Sequence, residues 1–275
     1  MKEDMAANAI PGFAAGNAPG NKGGLAIVTG GCNGMGLAHA TKATACGMIP
    51  VVLDIVDEAK FSEVEKGLRA AAAPDVLTAK ADVSSYAEMA KVAQAVQARF
   101  QGPQAHPIWI ICANAGYAGP AILSGRVESI QRQLDVLCMG AIYTFKAFQD
   151  WFLNQKEPCA LVGTSLVAGI MPGMGAFGGA YVVGKRGCVA VMESLHEELW
   201  NRGARHVKSH VLFPGAVATN FSKGALLKMG KATMPPSHLA EAVWKACETG
   251  EFYTHGRRGG GPPGSGGPPP PRRGG

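Results

Sequence analysis

The stretch LAIVTGGCNGMGLAHA (25–40) decides the fold. Its first residues, Leu25 to Thr29, form a short apolar, partly β-branched run of strand length. Gly30, Gly34 and Gly36 follow at once, and the residues after them have helical character. Glycine has no Cβ, so a turn built from it bends tightly and lets a phosphate approach backbone N–H groups at the positive end of the next helix. A second short run, IPVVLDI (49–55), ends in an acid, Asp54, twenty residues beyond Gly34. Strand before, helix after and an acid at the end of the second strand are the context of a dinucleotide-binding turn; a turn with no ligand needs none of them.

Moving outward, the pattern repeats. Strand-like runs occur at VLTAKADV (76–83), IWIICANAG (108–116), CALVGTS (159–165), HVKSHVLFPG (206–215) and EFYTH (251–255). Helical patterns lie near 35–46, 59–72, 86–100, 127–151, 179–202 and 237–248. Strand and helix in alternation imply an α/β fold of one domain, a doubly wound parallel sheet of Rossmann type with right-handed crossovers. Ligands of such sheets bind outside the carboxyl ends of the strands. The domain is expected over 24–255, preceded by a flexible leader (1–23) and followed by a disordered Gly/Pro/Arg tail (256–275).

Composition narrows the function classes. The formal charge is +6, but the tail alone holds four arginines and no acid, so the body is nearly neutral. A tail of that composition cannot build a core, and without a basic stripe on the body an RNA-binding role through it is disfavoured. No apolar run approaches the roughly 18 residues of a membrane span, and the N-terminus does not read as a secretory signal. The seven cysteines form no C-x-x-C pair and sit mostly in apolar runs, as expected of buried thiols in a reducing cytoplasm. The histidines form no ligand pattern, so no metal site is expected.

Asp54 also bears on the cofactor. A carboxylate there accepts hydrogen bonds from ribose hydroxyls and repels a 2′-phosphate, and Cys32 and Asn33 in the glycine loop supply no compensating charge. NAD is expected over NADP.

The motif set as a whole resembles the classical short-chain dehydrogenase/reductase family over about residues 24–255. Thr29, Gly30, Gly34 and Gly36 match its glycine motif, with Asn33 and Met35 between them. Asp82 and Val83 match its adenine-contacting Asp-Val. Asn114, Ala115 and Gly116 match its Asn-Ala-Gly, although the family's preceding Asn is Ala113 here. Tyr181 and Lys185 match Tyr-x-x-x-Lys, and Pro214, Gly215 and Thr219, with Val217 between, match Pro-Gly-x-x-x-Thr. The resemblance implies hydride transfer between NAD and a secondary alcohol or ketone. Tyr181 would exchange the proton, and Lys185 would lower its pKa and hold the nicotinamide ribose. Thr219 would bind the carboxamide. A free tyrosine titrates near pH 10, and an adjacent ammonium favours its phenolate. The resemblance also implies a homodimer or homotetramer formed through the helices near 127–151 and 179–202.

Two positions depart from the family. Its catalytic serine commonly lies about 13 residues before the tyrosine, where this chain has Ala168; Ser165, with Thr164 beside it, is the expected substitute. Its helix asparagine, which helps hold a water at the lysine, is Leu137, a side chain without hydrogen-bonding groups. These departures motivate a competing expectation, a catalytically impaired dinucleotide binder acting as a redox sensor or scaffold. On the substrate side, Tyr117, Met171, Met174 and Phe177 are expected at the rim. A lid over 220–236 carries Phe221, Leu226, Leu227, Met229 and Met234. Both point to an apolar or aromatic substrate, the alternative reading of the same residues being ordinary packing at a subunit contact.

Overall fold

The computed structural model describes residues 8–13, 23–101, 105–167, 179–219 and 233–255. Met171, Met174, Phe177, Phe221, Leu226, Leu227, Met229 and the 256–275 tail lie outside these residues.

Seven strands form one parallel sheet: β1 (Leu25–Thr29), β2 (Ile49–Asp54), β3 (Leu77–Lys80), β4 (Ile108–Ala113), β5 (Cys159–Thr164), β6 (Val207–Phe213) and β7 (Tyr253–His255). Their order across the sheet is β3-β2-β1-β4-β5-β6-β7, so the winding reverses between β1 and β4. The helices between them are α1 (Gly34–Ala45), α2 (Glu58–Ala70), α3 (Tyr86–Phe100), α4 (Val127–Leu134), α5 (Gly140–Asn154), α6 (Gly179–Asn201) and α7 (Pro236–Thr249). A π-helical turn, Asp135–Met139, joins α4 to α5 where the sequence pattern reads as one helix.

Strand alternation divides the core between the two faces of the sheet. Leu25 and Ile27 of β1 pack with Phe145, Phe148 and Met192 from α5 and α6. Ala26 and Val28 pack on the other face with Ala40, Phe61 and Trp244 from α1, α2 and α7.

Residues 8–13 correct the expectation of a flexible leader. Pro11 and Gly12 form a tight turn in which Phe13 N donates to Ile10 O at 3.2 Å and Gly12 has φ +78°. This matches the Pro-Gly preference of a type II turn. Ile10 N donates to Cys247 O of α7 at 2.8 Å, and Asn8 Nδ2 donates to Ser209 O of β6 at 3.0 Å. The Phe13 ring is fully buried, 6.2 Å from Trp109 and 5.9 Å from Trp244.

His39 of α1 stacks on Trp244 in the same cluster, and neither of its ring nitrogens has a hydrogen-bond partner among the described residues. Burial lowers His39 from 6.5 to about 4, and burial likewise takes His210 to about 4. The unfolded imidazoles take up protons near pH 6.5, whereas the folded ones resist until about 4. Stability is therefore expected to fall as pH drops through that window. A thermal-melting series against pH checks this, and the slope should be shallower in His39→Phe.

Candidate active site

A cleft of about 480 Å³ opens at the carboxyl ends of the strands, across the point where the sheet reverses its winding. Most of the expected residues line it: Gly30, Asn33, Gly34, Met35, Asp54, Asp82, Val83, Asn114, Ala115, Gly116, Ser165, Tyr181, Lys185, Pro214, Gly215, Val217 and Thr219.

Thr29 and Gly36 do not line it; they shape it. Thr29 Oγ1 accepts from Asn114 N at 3.0 Å and from Ala115 N at 3.3 Å, which joins the ends of β1 and β4. A Cβ on Gly36 would lie 2.1 Å from Gly30 O, so only glycine lets α1 start so close under the turn. Asn33 is the N-cap of α1, and its side chain makes no capping hydrogen bond. Asn114 is a structural clasp: its Nδ2 donates to Thr29 O at 3.2 Å, and its Oδ1 accepts from Thr164 Oγ1 at 3.4 Å.

Asp54 projects from the end of β2 beside the glycine loop. It accepts from Cys32 N at 3.0 Å and from Ile55 N at 2.8 Å. A carboxylate offers about four acceptor sites, so two backbone bonds orient it and leave capacity for hydroxyl donors.

Tyr181 and Lys185 lie one turn apart on α6, both buried. The Lys185 ammonium stands 5.8 Å from the centre of the Tyr181 ring and donates to Thr164 O at 2.6 Å. The electrostatics differ from expectation. Burial pushes the Tyr181 phenol up, with a further small push from Cys188, and burial lowers Lys185. The shift is upward, opposite to the expected ammonium-driven lowering, because the charged phenolate is the form that burial penalises.

Ser165 also departs from its expected role. Its hydroxyl donates inward, to Lys185 O at 2.8 Å, so the proton meant to polarise a substrate oxygen is engaged on α6. With the Lys185 to Thr164 bond, it fastens the end of β5 to α6 twice. The next residue, Leu166, lines the cleft as well. Leu137 is buried at the π-helical turn as a wedge. Its Cδ2 would lie 2.7 Å from a Cβ on Gly116, and its Cβ 2.7 Å from a Cβ on Gly184. Met234, expected in an apolar lid, instead bridges Val217 and packs into the core beneath the cleft.

Sequence reading missed Ile55, Ala81, Arg132, Val136 and Leu166, all of which line the cleft. Ile55 and Ala81 are neighbours of motif residues and were accessible to it. Arg132 was not, since a lone arginine in a helix carries no signal. Its guanidinium pairs with Asp82 at 2.5 Å. That pair, with Ser84, holds the Asp82 carboxyl below the usual range even though partial burial pulls the other way.

No group of three or more potential metal ligands occurs among the described residues, and no described helix is long and apolar enough to cross a membrane. All seven cysteines are free, and all but Cys138 are buried.

Comparison with known proteins gives consistent findings. A family model described as short chain dehydrogenase matches residues 24–229. The 1-deoxy-11-beta-hydroxypentalenate dehydrogenase of Streptomyces avermitilis is 27% identical over 234 residues, covering 83% of this chain and 82% of the relative. The 3beta-hydroxysteroid dehydrogenase 1 of Eggerthella lenta is 27% identical over 245 residues, covering 85% and 90%. Among solved structures, a short chain dehydrogenase/reductase from Burkholderia phymatum in complex with NAD superposes with a TM-score of 0.76 at 24% identity, over 86% of this chain and 90% of the other.

Proposed function

The chain belongs to the short-chain dehydrogenase family, and from that membership we propose that it is an NAD-dependent oxidoreductase interconverting a lipophilic secondary alcohol and its ketone. The observation that carries this reading is the convergence on one cleft of the glycine turn, Asp54 and the Tyr181–Lys185 pair.

The residues present fit a dinucleotide. The glycine turn leaves its backbone N–H groups approachable at the start of α1, where a diphosphate is favoured. Asp54 would receive the adenosine ribose hydroxyls, and Asp82 and Val83 would bound the adenine, all three lining the cleft. Asn114 to Gly116 and Pro214 to Thr219 form the remaining walls. The bound cofactor would accept hydride from the alcohol carbon as NAD and supply it to the ketone carbon as NADH. Tyr181, kept protonated across the neutral range by its burial, gives its proton to the carbonyl oxygen during reduction and takes it back during oxidation. Lys185 holds a ribose hydroxyl and keeps positive charge beside the phenol. Ser165 lines the cleft beside this pair with its own proton directed at Lys185 O, so the proton exchange rests on Tyr181.

The two relatives support a hydroxyl-bearing substrate, since one is a hydroxypentalenate dehydrogenase and the other a hydroxysteroid dehydrogenase. A cytoplasmic location and a homodimer or homotetramer through α4, α5 and α6 complete the proposal. The exposure of Val127 on α4 and Val183 on α6 supports that assembly surface.

A second reading keeps the dinucleotide and drops the turnover. The inward bonds of Ser165 and Lys185 and the apolar wedge at Leu137 favour it. The two readings separate in one assay, NADH and NADPH binding and oxidation by purified protein against a panel of alicyclic and aryl ketones. Turnover with an NADH preference supports the enzyme; tight NADH binding with no turnover across the panel supports the binder. In the same assay Asp54→Asn is expected to weaken NADH on the order of tenfold or more, the worth of a charge-assisted hydrogen bond. It should weaken NADPH less. Equal losses for both cofactors would remove Asp54 as the discriminating residue.

A further inference from the structure

Two successive residues of α4 reach two different loops that line the cleft. Arg132 donates to Asp82 at 2.5 Å and also to Ser84, both on the loop after β3. Gln133 turns the other way, fully buried, and its Nε2 donates to Tyr117 O at 2.9 Å on the loop after β4. The other half of that amide is unusual: Oε1 is buried with no hydrogen-bond partner among the described residues. Burying an unsatisfied amide oxygen costs free energy that an apolar side chain of similar volume would avoid. The loop is also shaped around the amide. A Cβ on Gly119 would fall 1.7 Å from Oε1, so a side chain there would have to push the amide or the loop aside. A buried glutamine that is half unsatisfied, bonded to one loop carbonyl and roofed by a glycine of that loop, costs stability to keep the loop in one place.

We propose that Gln133 is a positioning residue for the dinucleotide. With Arg132 it makes α4 a bracket that holds the Asp82 loop and the Tyr117 loop in place at the cleft. The argument rests on reading the cleft as a dinucleotide site. Arg132 is about half exposed and screened by solvent, so its ion pair is the weaker arm of the bracket. The Gln133 tether is the buried arm. Without it the loop from Gly116 to Gly119 must be ordered at the moment of binding, and that cost appears as lost affinity. The hydrogen bond of Gln133 ends on Tyr117 O rather than on Tyr181, Lys185 or Ser165, so turnover at saturating cofactor should be spared.

The test uses the full chain with Gln133→Leu and Gly119→Ala, the latter displacing the loop without deleting a buried group. NADH dissociation constants are measured by fluorescence, with KM and kcat in ketone reduction and the melting midpoint alongside. Both variants are expected to bind NADH about tenfold more weakly, the worth of one buried hydrogen bond, with kcat unchanged. Leu123→Ala, at a fully exposed side chain nearby, should bind like the parent. If the parent binds NADH and Gln133→Leu binds it equally well, the proposal is overturned. If Gln133→Leu does not fold, Gly119→Ala decides by the same criterion. A parent that binds neither NADH nor NADPH overturns the cofactor reading itself, and this proposal with it.

Discussion

Replacing Tyr181 by phenylalanine is expected to lower ketone reduction by a factor on the order of 10²–10⁴, the usual contribution of a positioned proton donor, while NADH affinity stays at the parent value. The substitution removes one oxygen from a buried ring that otherwise packs unchanged in the core. The burden falls on this hydroxyl because Ser165 has committed its proton to Lys185 O and Lys185 directs a donor at Thr164 O. The pH dependence carries a second signature. Burial raises the phenol pKa above its usual value, so the protonated form needed for reduction persists through neutrality and the reduction rate should be level there. Alcohol oxidation needs the deprotonated oxygen, so its rate should climb steadily toward alkaline pH. Stopped-flow traces of NADH absorbance in both directions, from parent and variant, check both points. A Tyr181→Phe protein that reduces ketones at the parent rate would remove Tyr181 from the chemistry.

Phe13→Ala is expected to cost about 3–5 kcal/mol, the range for emptying a buried aromatic site, and to lower the melting midpoint by on the order of ten degrees. The ring lies between Trp109 of β4 and Trp244 of α7 and is fully buried. Its removal therefore leaves a void bounded by two rigid indoles, which do not easily collapse into it. Because this cluster lies on the α1, α2 and α7 face, away from Tyr181, the variant should retain its cofactor affinity at temperatures where it is folded. A melting curve by circular dichroism measures the loss; a midpoint within a degree or two of the parent would mean that the 8–13 segment does not dock in solution.

The strands were legible because each combines a short apolar run with a turn that stops it. The β1 turn was legible twice over, since Gly30 and Gly36 are demanded by close backbone contacts that any residue with a Cβ would break. The 8–13 segment was misread because composition averages over the very residues that matter. Ala and Asn around it look flexible, yet Pro11 and Gly12 close a turn that sets Ile10 and Phe13 onto the core. The break between α4 and α5 left no mark in the hydrophobic pattern, because an extra residue in a helical turn shifts the backbone without changing which side chains are apolar.

By itself, the sequence determined the parallel α/β fold, the place of the cleft and most of the residues that line it, since these follow from local backbone chemistry and from motif order. Only the tertiary structure decided how the polar side chains spend their hydrogen bonds. Ser165 faces Lys185 O rather than a substrate oxygen, Lys185 faces Thr164 O, Arg132 reaches Asp82 and Gln133 holds Tyr117 O. The direction of the Tyr181 shift was settled at the same level. An ammonium four residues away is a fact of sequence, but desolvation depends on everything packed around the ring, and it is the main cause of the upward shift.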